Sequence, residues 1–346
     1  MTRTTNPTTM TAVVQTAYGL DAIEVDERPV PLPGPGQLRI KVAASTVNPM
    51  DLHLATGKPS FVRLVEGFRR PKYEIPGREA CGVVDQLGPG VTDFEIGQTV
   101  FGWLTGGFAE YAVAEADHVW LAPTEMTEFE SAALPIAGAA ALQAIEIGDV
   151  AGKRVVVNGA SGGVGHYAVQ IAKARGAHWV AGVCSSKNTD FVLGLGADQV
   201  IDYDSEDFAA ERWDVLIDCI GNRTDPEIRK ALVDDGRWVV IGDPDMDGIF
   251  GPLPRLVTRL IRWRFGPRSC HWFVQGEDAR YLEEVAELVE DGSVRPHLSE
   301  VVAVRDVRAG YDRIESGRTV GKLAVDPAVA RDVESPGVGN AAAVSS

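Results

Sequence analysis

Residues 153–165 read Lys-Arg-Val-Val-Val-Asn-Gly-Ala-Ser-Gly-Gly-Val-Gly, and glycines at this spacing behind an apolar run have a definite chemical use. The run 155–157 is too short to be a helix of its own, while apolar residues recur at helical spacing over 166–175, so the parse is strand, turn, helix. Gly159 supplies a turn conformation that a side chain forbids, Gly162 leaves the main chain open to a pyrophosphate, and Gly165 lets helix and strand pack closely. The helix N-terminus then turns its unpaired N–H groups toward the phosphates. A purely steric turn would use glycine too. Here a second strand over 179–183 follows Gly176 and completes a β-α-β unit of about 30 residues, which points to a bound dinucleotide.

The end of that second strand selects the dinucleotide. An acid there would bond a ribose 2′-hydroxyl and repel a 2′-phosphate. The chain has none: it reads Gly182-Val183-Cys184-Ser185-Ser186-Lys187-Asn188, offering two hydroxyls and an ammonium to a phosphate dianion. NADPH is therefore expected over NADH. Capping of the following helix by Ser185 and Ser186, with Lys187 solvated, is compatible with the same residues.

The elements that position these groups fall into two patterns. Up to about residue 130, short β-rich runs (11–15, 37–45, 80–87, 99–101 and 109–113) alternate with Gly and Pro turns, which reads as a mostly antiparallel β domain. A long helical stretch over 130–147 follows, and strands at 154–158, 179–183, 199–201, 215–219 and 238–241 then alternate with helices. That alternation predicts an α/β fold with a doubly wound, Rossmann-type parallel sheet. Residues 279–290 read as a helix, 321–325 as a last strand, and the Pro/Gly/Ala/Ser-rich tail from 326 as disordered. The expected organisation is a catalytic domain from 1–130 and 272–326, a dinucleotide-binding domain at 131–271 and a tail at 327–346. The cofactor would lie in the cleft between the domains, at the carboxyl ends of the strands.

Composition bounds the partners. The chain has 346 residues, 45% hydrophobic and 24% charged, which is enough for two globular cores, and its net charge of -16 disfavours nucleic acid and anionic membranes. No apolar run suits a membrane span or a secretion signal, so a cytoplasmic location is expected. Cys81, Cys184, Cys219 and Cys270 lack metal-type or disulfide-type spacing and are expected to be buried and reduced. The segment 254–268 is basic and apolar together; its spacing suits an amphipathic helix on the surface or against another subunit, with membrane contact the weaker reading.

At this point the motifs carry a resemblance that covers nearly the whole chain. Asn-Gly-Ala-Ser-Gly-Gly-Val-Gly with Gln170 and Lys173 behind it, Val47-Asn48-Pro49-Met50-Asp51, Pro76-Gly77-Arg78-Glu79, Gly107-Phe-Ala-Glu-Tyr111 and Gly317-Arg-Thr-Val-Gly-Lys322 resemble the zinc-free quinone oxidoreductases of the medium-chain dehydrogenase/reductase superfamily. The resemblance implies a GroES-like catalytic domain beside the Rossmann domain. Zinc-dependent relatives have a cysteine where this chain has Asn48 and a histidine where it has Arg78, and no cluster of four cysteines is present, so no metal site is expected.

The resemblance also implies roles. Gly159, Ser161, Gly162, Gly163, Val164 and Gly165 would contact the dinucleotide; Ser185, Lys187 and Tyr203 would hold the 2′-phosphate. Gly221, Asn222 and Gly242 would face the nicotinamide ribose, Phe273 would pass near the carboxamide, and Lys322 would meet a phosphate. Asn48 and Asp51 would lie at the nicotinamide end, Asn48 bonding a ribose or substrate oxygen and Asp51 acting there or serving structure. Ala140 stands where many relatives have a threonine. The implied reaction is hydride transfer from NADPH to a small hydrophobic acceptor, a quinone or an α,β-unsaturated carbonyl, whose conjugation spreads the developing charge onto oxygen without a metal. His53 and Tyr73 are further candidate proton donors, and Arg78 either polarises an oxygen or forms a structural ion pair. Reduction of a saturated aldehyde or ketone, and NADPH binding without catalysis, stand as alternatives. A homodimer joined edge to edge at the strand near 238–241, or at the chain after it, is also expected.

Overall fold

The computed structural model describes residues 7–242 and 250–328; the tail expected to be disordered lies outside them beyond residue 328. The N-terminal strands are β1 (Thr9–Gln15), β2 (Ile23–Pro29), β3 (Gln37–Val47), β4 (Glu79–Leu87), β5 (Thr99–Trp103), β6 (Tyr111–Glu115) and β7 (Val119–Leu121). β1 and β2 form a separate antiparallel pair. β3 is long enough to be shared: β6 pairs with residues 37–41 and β4 runs along its other edge. Short helices α1 (Pro49–Thr56) and α2 (Val62–Glu66) fill the connection from β3 to β4.

The expected helix over 130–147 is broken. The structure has α3 (Glu128–Ala132) and α4 (Ala137–Gly148) instead. Pro135 causes the break, because it lacks an N–H and disfavours helical geometry at Leu134. Beyond α4 the chain builds a parallel sheet from β8 (Arg154–Asn158), β9 (Trp179–Cys184), β10 (Gln199–Asp202), β11 (Trp213–Asp218), β12 (Leu232–Val240) and β13 (Ser269–Trp272), in the order β10-β9-β8-β11-β12-β13. Helices α5 (Gly165–Ala174), α6 (Thr189–Gly194), α7 (Asp225–Ala231), α8 (Leu253–Trp263) and α9 (Ala279–Glu290) accompany it. The alternation of strand and helix thus folds as the doubly wound sheet. β8 and β11 carry the unbroken apolar runs Val155-Val156-Val157 and Val215-Leu216-Ile217 because both of their faces are covered.

The chain then returns to the first sheet with β14 (Leu298–Ala303), α10 (Val307–Glu315) and β15 (Lys322–Asp326). β15 pairs antiparallel with β3 at 45–47, beyond the stretch taken by β6, and parallel with β14. The first sheet is therefore mostly antiparallel and is completed by residues from both ends of the sequence.

Helix α8 takes the first of the two places weighed for it, on the surface of its own domain: Leu256, Arg259 and Trp263 are buried against the parallel sheet. Arg259 donates to Asp225 at 2.9 Å and stacks over Trp238 at 4.2 Å, while the Trp263 indole donates to the other Asp225 oxygen at 3.1 Å. Val257 and Ile261 remain on the exposed side. In the first part of the chain Trp103, Leu104 and Phe108 are core, whereas Leu64 and Phe68 are exposed.

Candidate functional site

The glycine turn lies between β8 and α5, where the sequence placed it. Gly159 has φ of +85°, a conformation closed to ordinary side chains. A Cβ on Gly165 would overlap the carbonyl oxygen of Gly159 and stand 2.8 Å from its carbonyl carbon, so only glycine lets the helix start this close to the strand end. Gly162 and Gly163 leave an open cradle: the nearest atoms to a Cβ on Gly163 would be the Gly321 carbonyl oxygen and the Lys322 Cδ, both at 3.5 Å. Such a cradle fits a pyrophosphate on the main chain.

Two features brace the turn. Asn188 donates to Ser161 Oγ at 3.1 Å and more loosely to Ser185 Oγ at 3.4 Å, tying the turn to the end of β9. His166, fully buried in the first turn of α5, sets its Nδ1 3.0 Å from the Gly162 carbonyl, and its Nε2 accepts the His297 N–H at 3.3 Å. That pattern fits the neutral ring with its proton on Nδ1. Burial pushes its pKa down to about 3. The unfolded chain takes up a proton near the ordinary value of 6.5, so stability is expected to fall as pH drops from there toward 3, with a slope approaching ~1.4 kcal/mol per pH unit. Urea titrations of wild type and His166→Asn at pH 7 and pH 5 check this: the variant should lose less on acidification, and equal losses would refute it.

Ser185, Lys187 and Tyr203 come together because β9 and β10 are neighbours that end at one level, Asp202 pairing with Cys184. Lys187 and Tyr203 are exposed, and Ser185 is half-buried. The acid at the end of β10 is used locally, since Asp202 accepts from the Asp204 N–H at 3.2 Å and Ser205 Oγ at 3.3 Å. At the ends of β8 and β11 the buried Asp218 organises the next group. It accepts from Asn158 Nδ2 at 2.9 Å, the Gly221 N–H at 2.8 Å and the Trp238 indole at 3.1 Å, while Asn222 accepts from Asn158 at 3.2 Å. Gly242 packs so closely on Cys219 that a Cβ there would stand 2.6 Å from its carbonyl carbon. Phe273 is partly buried against the main core.

Facing the turn from the antiparallel sheet is a polar cluster around Glu79, a residue to which the sequence reading gave no role. Glu79 is fully buried. Its Oε1 accepts from Lys322 Nζ at 2.9 Å, Asn48 Nδ2 at 2.7 Å and the Thr46 hydroxyl, and its Oε2 accepts the Ile136 N–H at 2.7 Å. Lys322 also donates to Asn48 Oδ1. Both ends of the Asn48 amide are thus used inside the cluster. The Lys322 ammonium is buried between the two side chains, and its stem runs beside Gly163. An acid opening the apolar strand Glu79-Ala80-Cys81 was the available signal for this site.

Arg78 forms the ion pair weighed for it, donating to both Glu66 oxygens at 3.0 Å and stacking on Tyr73 at 5.0 Å. Asp51 is buried and accepts the Asn48 N–H at 2.9 Å through Oδ2, while its Oδ1 has no partner among the described residues. Two further histidines make ordinary polar contacts, His118 3.3 Å from Glu277 and His271 3.0 Å from Ser269 Oγ. His53 is half-buried on α1. The four cysteines are free, two of them fully buried. Where a zinc ligand pair would stand, the amide of Asn48 holds an ammonium and Arg78 brings a guanidinium. These two side chains do not suit a metal cation.

Comparisons with known proteins agree with this architecture. Residues 34–124 match the alcohol dehydrogenase GroES-like domain family, and 195–325 match the zinc-binding dehydrogenase family, a match that includes neither position 48 nor position 78. A chloroplastic quinone oxidoreductase of Triphysaria versicolor is 32% identical over 336 residues, covering 90% of this chain and 95% of that one. A trans-enoyl reductase of Aspergillus terreus is 32% identical, over 84% of this chain and 86% of that one. The solved quinone oxidoreductase of Coxiella burnetii superposes with a TM-score of 0.81 at 26% identity, over 92% and 99% of the two chains. A glycine-turn parallel sheet beside a GroES-like sheet is the architecture of the medium-chain dehydrogenases and reductases. Within that superfamily the chain belongs to the quinone oxidoreductase family.

Proposed function

We propose that the protein is an NADPH-dependent, zinc-independent reductase that transfers hydride to a quinone or an α,β-unsaturated carbonyl. The observation that carries this reading is the arrangement at Asn48, where an ammonium and a carboxylate fill the place of a metal site opposite the glycine cradle. Bound NADPH would supply the hydride. The chain's own contribution is to hold the phosphates at Gly162 and Gly163, to set the ribose against the ends of β8 and β11, and to keep a fixed positive charge at Lys322 beside the cradle. Met50 beyond Asn48, Ile220 beside Gly159 and Val274 beside Phe273 are exposed at 42%, 42% and 73%, which favours a small hydrophobic acceptor. Relatives named as quinone oxidoreductases and as a trans-enoyl reductase support the same acceptor class. We read residues 1–130 with 272–326 as the catalytic unit and 131–271 as the cofactor unit.

The test follows dinucleotide oxidation by chelator-treated protein with 1,4-benzoquinone, a 2-alkenal, an enone and a saturated aldehyde, using NADPH and NADH in parallel. Chelator-insensitive turnover of quinone or enone is the expected result. Turnover confined to the saturated aldehyde, or lost on chelation, would overturn it in favour of an alcohol dehydrogenase, and tight binding without turnover in favour of a sensor. Lys187→Ala should weaken NADPH roughly tenfold or more and leave NADH unchanged, because a hydrogen bond to a charged group contributes ~1.5–3 kcal/mol. Equal effects on both dinucleotides would remove the 2′-phosphate assignment.

The reading includes a homodimer. β12 is paired on both sides, so the strand near 238–241 cannot serve, and the chain after it provides the edge: β13 pairs only with β12 among the described residues, and Trp272 on it is 39% exposed. Light scattering of the purified chain measures this directly.

A further inference from the structure

A third buried carboxyl lies beside the Glu79 cluster, and neither the cofactor cradle nor the ion pairs use it. Asp51 is 1% exposed; Oδ2 takes the Asn48 N–H, and Oδ1 has no partner among the described residues. It lines a cavity of about 30 Å³ together with Gln15, Glu66, Tyr73 and Arg78, enough room for a water or two. The charges around it are already matched. Lys322 belongs to Glu79 at 2.9 Å, and Arg78 belongs to Glu66 at 3.0 Å through both oxygens. Tyr311, whose hydroxyl is also buried without a partner among the described residues, is held neutral by burial and brings no charge to the site. Asp51 is therefore a buried carboxyl that makes no ion pair among the described residues, and such a group keeps its proton.

Resting on the reductase reading above, we propose that Asp51 stores the proton that completes reduction of the conjugated acceptor and releases it through water in this cavity. The balance is simple. The acceptor gains a hydride from the reduced dinucleotide and a proton from the Asp51 O–H, leaving the two-electron reduced product, the oxidised dinucleotide and an Asp51 carboxylate, which solvent reprotonates. The carboxylate stays tolerable while it lasts, because Asn48 N–H still bonds Oδ2 and Arg78 lines the same cavity.

The test has one arm without cofactor and one with it. Burial first, and the nearby Glu79 charge second, raise the Asp51 pKa to about 7. Infrared titration of the protein without dinucleotide should show a protonated-carboxyl band that disappears with a midpoint near this value and is missing in Asp51→Asn, which retains an acceptor for the Asn48 N–H. Glu66→Gln frees the Arg78 charge toward the cavity and should lower the midpoint by about one pH unit; it decides the matter even if Asp51→Asn fails to fold. In turnover, the wild-type kcat should decline above the midpoint. Asp51→Asn should lose that limb and fall on the order of 100-fold in kcat, with its NADPH affinity unchanged. The absence of the band, an unmoved midpoint in Glu66→Gln, or a wild-type pH profile in Asp51→Asn would overturn the proposal while leaving the reductase reading intact. A protein that turns over no conjugated acceptor, yet shows the titrating band, would overturn the reductase reading and the catalytic use of the proton with it.

Discussion

Gly165→Ala is expected to abolish NADPH binding over the range that isothermal titration can measure, a loss of more than about 100-fold, and to lower Tm. The new methyl would enter the Gly159 carbonyl, and what it meets is backbone on a strand end, not a flexible side chain. Relief requires α5 to move away from β8, and the cradle at Gly162 and Gly163 is built on that junction. Overpacking of this kind costs ~1–3 kcal/mol in stability, whereas the binding loss is larger because several N–H groups lose their aim together. Gly176→Ala is the control: nothing lies within 4 Å of a Cβ there, although its φ of +77° carries a strain of its own. It should cost stability and spare binding. Tight NADPH binding by Gly165→Ala would show that the turn is not the cofactor's seat.

The second large effect concerns the buried pair. Lys322→Met should destabilise the fold by about 3–5 kcal/mol, because it leaves Glu79 charged and uncompensated in the interior. Glu79 would keep the Asn48, Thr46 and Ile136 donors but lose the Lys322 ammonium. A double variant, Lys322→Met with Glu79→Gln, removes both charges, and should recover a good part of that loss. Chemical denaturation of the three proteins measures the coupling. Additive losses would mean that the pair contributes nothing as a pair.

These two sites differ in how far the sequence reveals them. The glycine turn is a local steric demand, so residues 155–175 carry it in full, as they carry the strand before it and the helix after it. The Glu79 cluster is not local. Lys322 and Glu79 are 243 residues apart in sequence, and they meet only because β3 has β4 on one edge and β15 on the other. No spacing rule encodes that register. Two of the strands missed by periodicity have a related reason: β14 shows Ser299, Glu300 and Val301 to solvent, and β13 is only half-covered at the sheet edge, so neither alternates cleanly between apolar and polar residues. The broken helix at 133–136 was legible in Pro135, where the apolar run of the surrounding alanines concealed it.

The position of β15 also bears on how the molecule is made. During synthesis the first strands leave the ribosome long before residues 322–326, and until those arrive the 45–47 stretch of β3 has no neighbour on that edge. The parallel sheet can close meanwhile, since β8 to β13 are contiguous in the chain. The nascent protein therefore carries a finished cofactor fold beside an unsealed sheet edge, with Glu79 awaiting its ammonium. Loss of the last strand, by an early stop or by proteolysis, would leave a chain that lacks Lys322 beside Gly163 and that exposes an edge prone to self-association.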